Sequence, residues 1–132
     1  MRYVLDASIA ITWALRDEDH PLADLAFHYI QADSVVVPGI WWYEVWNILV
    51  INERRNRISQ ADSAKFLRNL TQFSIGLDLP KGVQVMDLCR KHKLSAYDAA
   101  YLAAAKSNRL PLATLDKALK SAALAEGIPL LS

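Results

Sequence analysis

The chain has 132 residues, of which 53% are hydrophobic, and a formal net charge of +1 at pH 7. Its length and composition predict one domain, residues 1–132, with a sizeable core, and the small net charge gives no sign of a polyanion-binding surface. A single cysteine, Cys89, excludes an intrachain disulfide and a cysteine-based zinc site. No stretch is long enough to span a membrane, and the apolar run at residues 7–15 leads into Arg16-Asp-Glu-Asp instead of a cleavage site. We therefore expect a cytoplasmic protein without an export signal.

Patterns typical of strands alternate along the chain with patterns typical of helices. Short apolar or β-branched runs predict strands at residues 3–6, 35–37, 75–79, 111–115 and 128–131. Helices are predicted at residues 21–32, 40–57, 60–73, 80–91, 96–108 and 117–126, and another follows residue 8. Ser8, Ser59 and Ser95 stand where they can cap helices. Strands and helices alternating at this spacing predict an α/β sandwich, a short parallel sheet flanked by helices on both faces.

Four acidic residues lie in apolar surroundings, at widely separated positions. They are Asp6 in Val-Leu-Asp-Ala-Ser, Glu44 in Trp-Trp-Tyr-Glu-Val-Trp-Asn, Asp98 in Ala-Tyr-Asp-Ala-Ala-Tyr and Asp116 in Ala-Thr-Leu-Asp. An isolated ionised carboxylate is rarely buried, because desolvation costs several kcal/mol or more unless a partner or a metal ion compensates. Four such residues together indicate a shared cation.

The predicted elements would bring these four acids to one edge of the sheet. Asp6 and Asp116 end two predicted strands, and Glu44 and Asp98 fall in the first turns of predicted helices. In parallel sheets, ligands bind outside the carboxyl ends of the strands. Carboxylate oxygens suit Mg²⁺ or Mn²⁺, and such ions can activate water for phosphodiester cleavage. We therefore predict a metal site formed by these side chains.

Each acid has an alternative interpretation when it is taken alone. Asp6 and Asp116 could cap the helices that follow them, and Asp98 could be an ordinary first-turn acid. Glu44 is harder to explain in this way, because three tryptophans and a valine surround it. The joint placement of the four residues favours the metal site.

Three polar residues could support the carboxylates. Asn47 follows Glu44 by one turn of the same predicted helix and could orient it. Ser8 and Thr114 each lie two residues from one of the aspartates and could bind a metal-associated water. A helix cap for Ser8 and an ordinary strand position for Thr114 are the alternatives.

Other chemistries have less support. The three histidines, His20, His28 and His92, show no metal-ligand spacing and are expected on helix surfaces. No Gly-x-Ser-x-Gly elbow or phosphate-binding glycine-rich loop occurs. A phospho-acceptor receiver domain would need an aspartate at the end of a central strand, where the run 35–37 has Pro38.

The chain resembles the PIN-domain ribonucleases, and within them the VapC-type toxins of toxin–antitoxin pairs. The resemblance covers the whole chain and rests on the order and spacing of its motifs. These are Val-Leu-Asp6-Ala-Ser, Pro38 with Glu44 and Asn47, Tyr97-Asp98-Ala-Ala-Tyr101-Leu-Ala-Ala-Ala, and Thr114-Leu-Asp116 with Ala122-Ala123 and Gly127. It implies a PIN-like three-layer sandwich in which Asp6, Glu44, Asp98 and Asp116 bind Mg²⁺ or Mn²⁺ and cleave RNA.

The resemblance also implies a homodimer and a cognate small antitoxin protein that blocks the site. Trp13, Trp41, Trp42 and Trp46 could anchor such a partner, although tryptophans are also common in cores. Two other functions stay open at this point: a catalytically silent PIN-like binding or regulatory protein, and a nuclease that acts on DNA.

Overall fold

The computed structural model describes residues 1–15 and 19–132, so the segment 16–18, cited above against an export signal, lies outside the described residues. Strands and helices alternate as the sequence predicts. In chain order they are β1 (Tyr3–Leu5), α1 (Ala7–Ala10), a 3₁₀ turn (Ile11–Trp13), α2 (Pro21–Ala32), β2 (Val35–Pro38), α3 (Ile40–Arg54), α4 (Gln60–Leu70), β3 (Ile75–Asp78), α5 (Gly82–His92), α6 (Ala96–Asn108), β4 (Leu112–Ala113) and α7 (Lys117–Ala125). None of the helices described is both long and apolar enough to cross a membrane.

The four strands form one parallel sheet in the order β3-β2-β1-β4. Tyr3 pairs with Val35 of β2, and Val4 pairs with Leu112 of β4, so β1 is an inner strand. All residues of β1 and β2 are buried. Strands covered on both faces need uninterrupted apolar runs, and this explains why both were recognisable in the sequence. The predicted α/β architecture, a short parallel sheet flanked by helices, is confirmed.

Helix α6 is the most deeply buried helix of the part described. Its seven consecutive residues from 99 to 105 are all buried, and five of them are alanines. Small side chains let the helix lie close to the strands, and α6 contacts β1, β2 and β4. Tyr101 is the one large polar side chain in this run, and it is fully buried. The first residues of α6 thereby lie at the carboxyl edge of the sheet, where the site described below is formed.

Several boundaries differ from those predicted. Helix α3 ends at Arg54, because Asn56 adopts a left-handed conformation (φ 56°) that breaks the helix. Ser8 lies inside α1 and does not cap it. The predicted strand at 128–131 is wrong: β4 has only two residues, so the C-terminal segment forms a single bridge, between Leu112 and Leu130.

The four tryptophans differ in burial. Trp41 is fully buried in the core, and Trp13 and Trp42 are partly buried against it. Trp46 is 44% exposed, and its ring contacts those of Trp42 and Tyr43. The core interpretation therefore holds for Trp41, while Trp46 and the 64% exposed Tyr43 leave an aromatic surface on α3.

A buried carboxylate joins the last three long helices. The Glu126 side chain, just after α7, is only 3% exposed and contacts Lys91 and His92 of α5 at 2.8 and 2.6 Å. Lys106 of α6 contacts its other oxygen at 2.7 Å. The expectation of a surface position is wrong for His92, whose side chain is 12% exposed because Glu126 holds it against the protein.

Candidate active site

Asp6 directly follows β1 and is 6% exposed. Its Oδ2 accepts two hydrogen bonds, from Thr114 Oγ1 at 2.6 Å and from Ser8 Oγ at 2.8 Å. Its side chain makes no cap hydrogen bond to α1, which disfavours the capping interpretation. No described group bonds Oδ1 of this carboxylate. Asp6 is therefore held rigidly through one oxygen while the other is left for a ligand.

Ser8 and Thr114 act on Asp6 as donors. Ser8 Oγ also accepts from the Leu115 N–H at 3.2 Å, and Thr114 Oγ1 accepts from the Asp116 N–H at 3.0 Å. Each hydroxyl has one hydrogen, and in both cases it goes to the carboxylate. Both residues thus lie at the site, where they orient the aspartate.

Glu44 lies in the second turn of α3, one turn later than predicted. Its Oε1 accepts from the Tyr101 hydroxyl at 2.5 Å. Burial raises the pKa of Glu44, the hydrogen bond from Tyr101 lowers it in part, and the negative charges of Asp6 and Asp98 raise it further. This carboxylate is therefore harder to ionise than an ordinary glutamate.

Asp98 is the third residue of α6, and Ser95 caps the helix by accepting from the Asp98 N–H at 3.1 Å. Burial is the main cause that raises the pKa of Asp98, followed by the charges of Asp116 and Asp6, while a hydrogen bond with Ser95 lowers it. The first-turn position predicted from the sequence is confirmed. Its surroundings differ from those of a solvated first-turn acid.

Asp116 is the N-cap residue of α7, and its Oδ1 accepts from the Leu119 N–H at 2.9 Å. The capping interpretation is therefore correct for this residue. It does not exclude a second role, because no described group bonds Oδ2 and the side chain lies close enough to Asp98 to raise the pKa of that group.

The structure brings the four acids to the carboxyl edge of the sheet. Among the residues described, no lysine, arginine or histidine forms an ion pair with any of them. Burial is the main cause that raises the pKa of Glu44 and of Asp98, and repulsion from neighbouring acids adds to it.

A fully preformed metal cage is not present: within residues 1–15 and 19–132, no three acidic, histidine or cysteine side chains stand close enough to enclose an ion. Mg²⁺ usually keeps several waters and uses one or two carboxylates directly. Oxygen-only donors, with no cation paired to them in the part of the chain that the structure describes, fit a hydrated divalent ion.

Sequence reasoning missed Tyr101, although it lies within the motif that contains Asp98. It is the one large polar residue in the alanine-rich run 99–105 of a predicted helix, and it lies three positions after Asp98. This pattern was the signal from which a role at the site could have been predicted. Asn47 was expected to orient Glu44. It is exposed, and the hydrogen bond to Glu44 comes from Tyr101 instead.

Comparisons with known proteins identify the family and the fold of the chain. Residues 3–124 match the family model of the PIN domain. The chain is 30% identical over 123 residues to ribonuclease VapC3 of Pyrobaculum aerophilum, an alignment that covers 90% of this chain and 92% of the relative. The crystal structure of PAE2754 from Pyrobaculum aerophilum superimposes with a TM-score of 0.72 at 25% identity, covering 92% of this chain and 79% of that one. By sequence and by fold, the chain belongs to the PIN-domain family, among its VapC-type members.

Proposed function

We propose that this protein is an endoribonuclease that hydrolyses RNA phosphodiester bonds with Mg²⁺ or Mn²⁺, and that it is the toxin of a type II toxin–antitoxin pair. The observation that carries the proposal is the convergence of Asp6, Glu44, Asp98 and Asp116 at one sheet edge, with no described cation paired to them. The likeness to ribonuclease VapC3 supports RNA as the substrate.

The four carboxylates would hold the metal through their free oxygens. When bound, a divalent ion supplies positive charge that favours deprotonation of water and offsets the charge developing on the phosphodiester. The oxygen-only donor set suits a hard cation such as Mg²⁺ or Mn²⁺.

The remaining residues prepare the carboxylates for this task. Thr114 and Ser8 fix the orientation of Asp6, and the Leu119 N–H fixes Asp116. The N-terminal ends of α6 and α7 both lie at the site, and their helix dipoles favour ionised side chains there. Burial raises the pKa of Glu44, and a bound cation would favour the ionised form of this side chain.

The test is cleavage of a mixed RNA pool by the purified chain, with Mg²⁺ or Mn²⁺ and with EDTA. We expect cleavage that requires the metal and disappears in Asp98→Asn. A folded Asp98→Asn protein with full activity would overturn the carboxylate mechanism. Single-stranded DNA is supplied at equal salt, since salt changes the affinity for any nucleic acid. Preferential cleavage of DNA would contradict the choice of RNA.

Asp62→Asn is the matched control. Asp62 is the third residue of α4, and its N–H donates to the capping Ser59 Oγ at 3.0 Å, as the Asp98 N–H does to Ser95. Its side chain is exposed and plays no part in the site. We expect Asp62→Asn to keep full activity, which would separate loss of a metal ligand from loss of a first-turn charge.

The same proposal includes a homodimer and a cognate small antitoxin, in a cytoplasmic setting. The exposed aromatic surface of Tyr43 and Trp46 on α3 supports the presence of a protein partner. Light scattering of the purified chain tests for the dimer. Co-expression with a small protein encoded immediately upstream should give a stable complex that no longer cleaves RNA, and an active complex would contradict the role of an antitoxin.

A further inference from the structure

The Tyr101 hydroxyl contacts one of the site carboxylates and lies near a second, Asp6. Its O–H donates to Glu44 Oε1 at 2.5 Å, across 57 residues of sequence. The hydroxyl also lies near the backbone of Ala7, the residue that follows Asp6. This hydrogen bond joins α6 to α3 beside the end of β1.

The surroundings of this hydroxyl leave it little freedom. Tyr101 is 0% exposed, and its ring is fixed in the alanine-rich run of α6 against the sheet. A hydroxyl has one hydrogen, and here Glu44 receives it. Because α6 also carries Asp98 three residues earlier, on the same side of the helix, a single rigid element supplies an acid and the donor that orients another acid.

We propose that Tyr101 is a positioning residue that holds Glu44 in place for metal binding. The inference rests on the proposed function, because it assigns Tyr101 to the same metal site. Groups that orient metal ligands commonly change metal affinity or activity about 10–100-fold when they are removed. Tyr101 acts through Glu44 and does not itself bind the metal.

Tyr3 provides a matched comparison for a purely structural role. It is also 0% exposed, and its hydroxyl donates to the Ala26 carbonyl oxygen at 2.6 Å. Tyr3→Phe and Tyr101→Phe each remove one buried hydroxyl and keep the ring. If the Tyr101 hydroxyl served only the stability of the fold, the two variants would bind metal equally well.

The experiment measures Mn²⁺ binding by calorimetry and electron paramagnetic resonance for the full chain and the variants, without RNA. We expect Tyr101→Phe to bind Mn²⁺ about tenfold or more weakly and Tyr3→Phe to bind it like the unchanged protein. In a Glu44→Gln background, Tyr101→Phe should have no further effect, because its partner is already lost. Equal weakening by both tyrosine variants would overturn the positioning role.

The outcomes also separate this inference from the proposed function. If the unchanged chain binds Mn²⁺ and Tyr101→Phe binds it equally well, the role of Tyr101 is refuted and the metal site stands. If the unchanged chain binds no Mn²⁺, the metal site falls, and the role of Tyr101 falls with it.

A second measurement applies if Tyr101→Phe does not fold. The chain is labelled with 3-fluorotyrosine, and the Tyr101 fluorine signal is assigned by phenylalanine variants of the other four tyrosines. Titration with Mg²⁺ should shift the Tyr101 signal and leave that of Tyr3 in place. An unmoved Tyr101 signal at saturating metal would overturn the inference.

Discussion

Glu44 and Asp98 are held where the fold opposes their ionisation. Burial raises the pKa of both, and neighbouring acids raise it further. A carboxyl group with a raised pKa contributes stability that is present below its ordinary pKa and is lost as pH rises through the folded-state value. At neutral pH without metal, these side chains therefore destabilise the protein.

This predicts that Asp98→Asn is more stable than the unchanged protein when no metal is present. The amide removes the charge but keeps the shape and the backbone bond to Ser95. We expect the midpoint of thermal unfolding at pH 7 in EDTA to rise by a few degrees. Added Mg²⁺ should stabilise the unchanged protein and have little effect on the variant. A lower midpoint in EDTA would contradict the electrostatic argument.

The same shifts predict how metal binding depends on pH. The ion needs ionised carboxylates, so its affinity should fall as pH falls, and the fall should begin above the ordinary values of 4.5 for Glu44 and 3.8 for Asp98. Calorimetric titration with Mn²⁺ at a series of pH values measures this. Affinity that stays constant down to pH 4.5 would show that neither group is perturbed.

At the residue scale, sequence reasoning could identify the acids but not the groups that orient them. An acid in an apolar stretch is visible locally, and all four lie at the carboxyl edge of the sheet, although no three of them stand close enough to enclose an ion. The contact of Tyr101 with Glu44 and that of Ser8 with Leu115 span 57 and 107 residues. No local pattern encodes such contacts, because they depend on how helices and strands pack.

Among the elements, α4 and α6 begin in the same way but serve different purposes. Ser59 and Ser95 each accept a hydrogen bond from the third residue of their helix. Loss of such a cap costs roughly 1 kcal/mol of stability. We predict that Ser59→Ala and Ser95→Ala lower the free energy of unfolding by similar amounts, measured by urea denaturation.

Only Ser95→Ala should also change metal binding. Ser95 Oγ accepts from the backbone N–H of Asp98, a proposed metal ligand, whereas Ser59 Oγ accepts from that of Asp62, whose side chain is exposed and lies outside the site. Calorimetric titration of both variants with Mn²⁺ distinguishes the two caps. An equal change in affinity for both would mean that stability alone controls the site.

Element boundaries were predicted best where a local signal marks them. Pro21 begins α2, the serine caps begin α4 and α6, and Gly127 adopts a positive φ of 72° after α7. The segment 128–131 has an apolar, strand-like sequence, yet it pairs at a single bridge. Its partner β4 is only two residues long, so little strand is available to pair with. The sequence of residues 128–131 carries no information about the length of β4.

For the molecule as a whole, Glu126 connects α5, α6 and α7. Hydrogen bonds from Lys106, Lys91 and His92 lower the pKa of Glu126 from its ordinary value of 4.5 to about 2. A carboxyl group with a lowered pKa contributes stability that is present above its ordinary pKa and is lost as pH falls through the folded-state value.

We therefore predict that Glu126→Gln has a lower free energy of unfolding than the unchanged protein at pH 7. The difference in free energy between the two proteins should narrow as pH falls from about 4.5 to about 2. Urea unfolding of both proteins across this range measures it. Cleavage of RNA at neutral pH should be unchanged in the folded variant, because Glu126 lies outside the site. If the difference in unfolding free energy does not change with pH, the lower stability of Glu126→Gln comes from packing and not from charge.

The position of β1 between β2 and β4 also determines when the site can be completed during synthesis. The ribosome makes the N-terminal segments first, and domains fold as their chain emerges. Asp6 precedes its donor Thr114 by 108 residues, and β4, one of the two strands that pair with β1, also follows residue 110. A nascent chain that stops before residue 111 therefore lacks both β4 and Asp116. The site of the proposed ribonuclease therefore stays incomplete until residues 111–116 have been made, which delays RNA cleavage beside the translating ribosome.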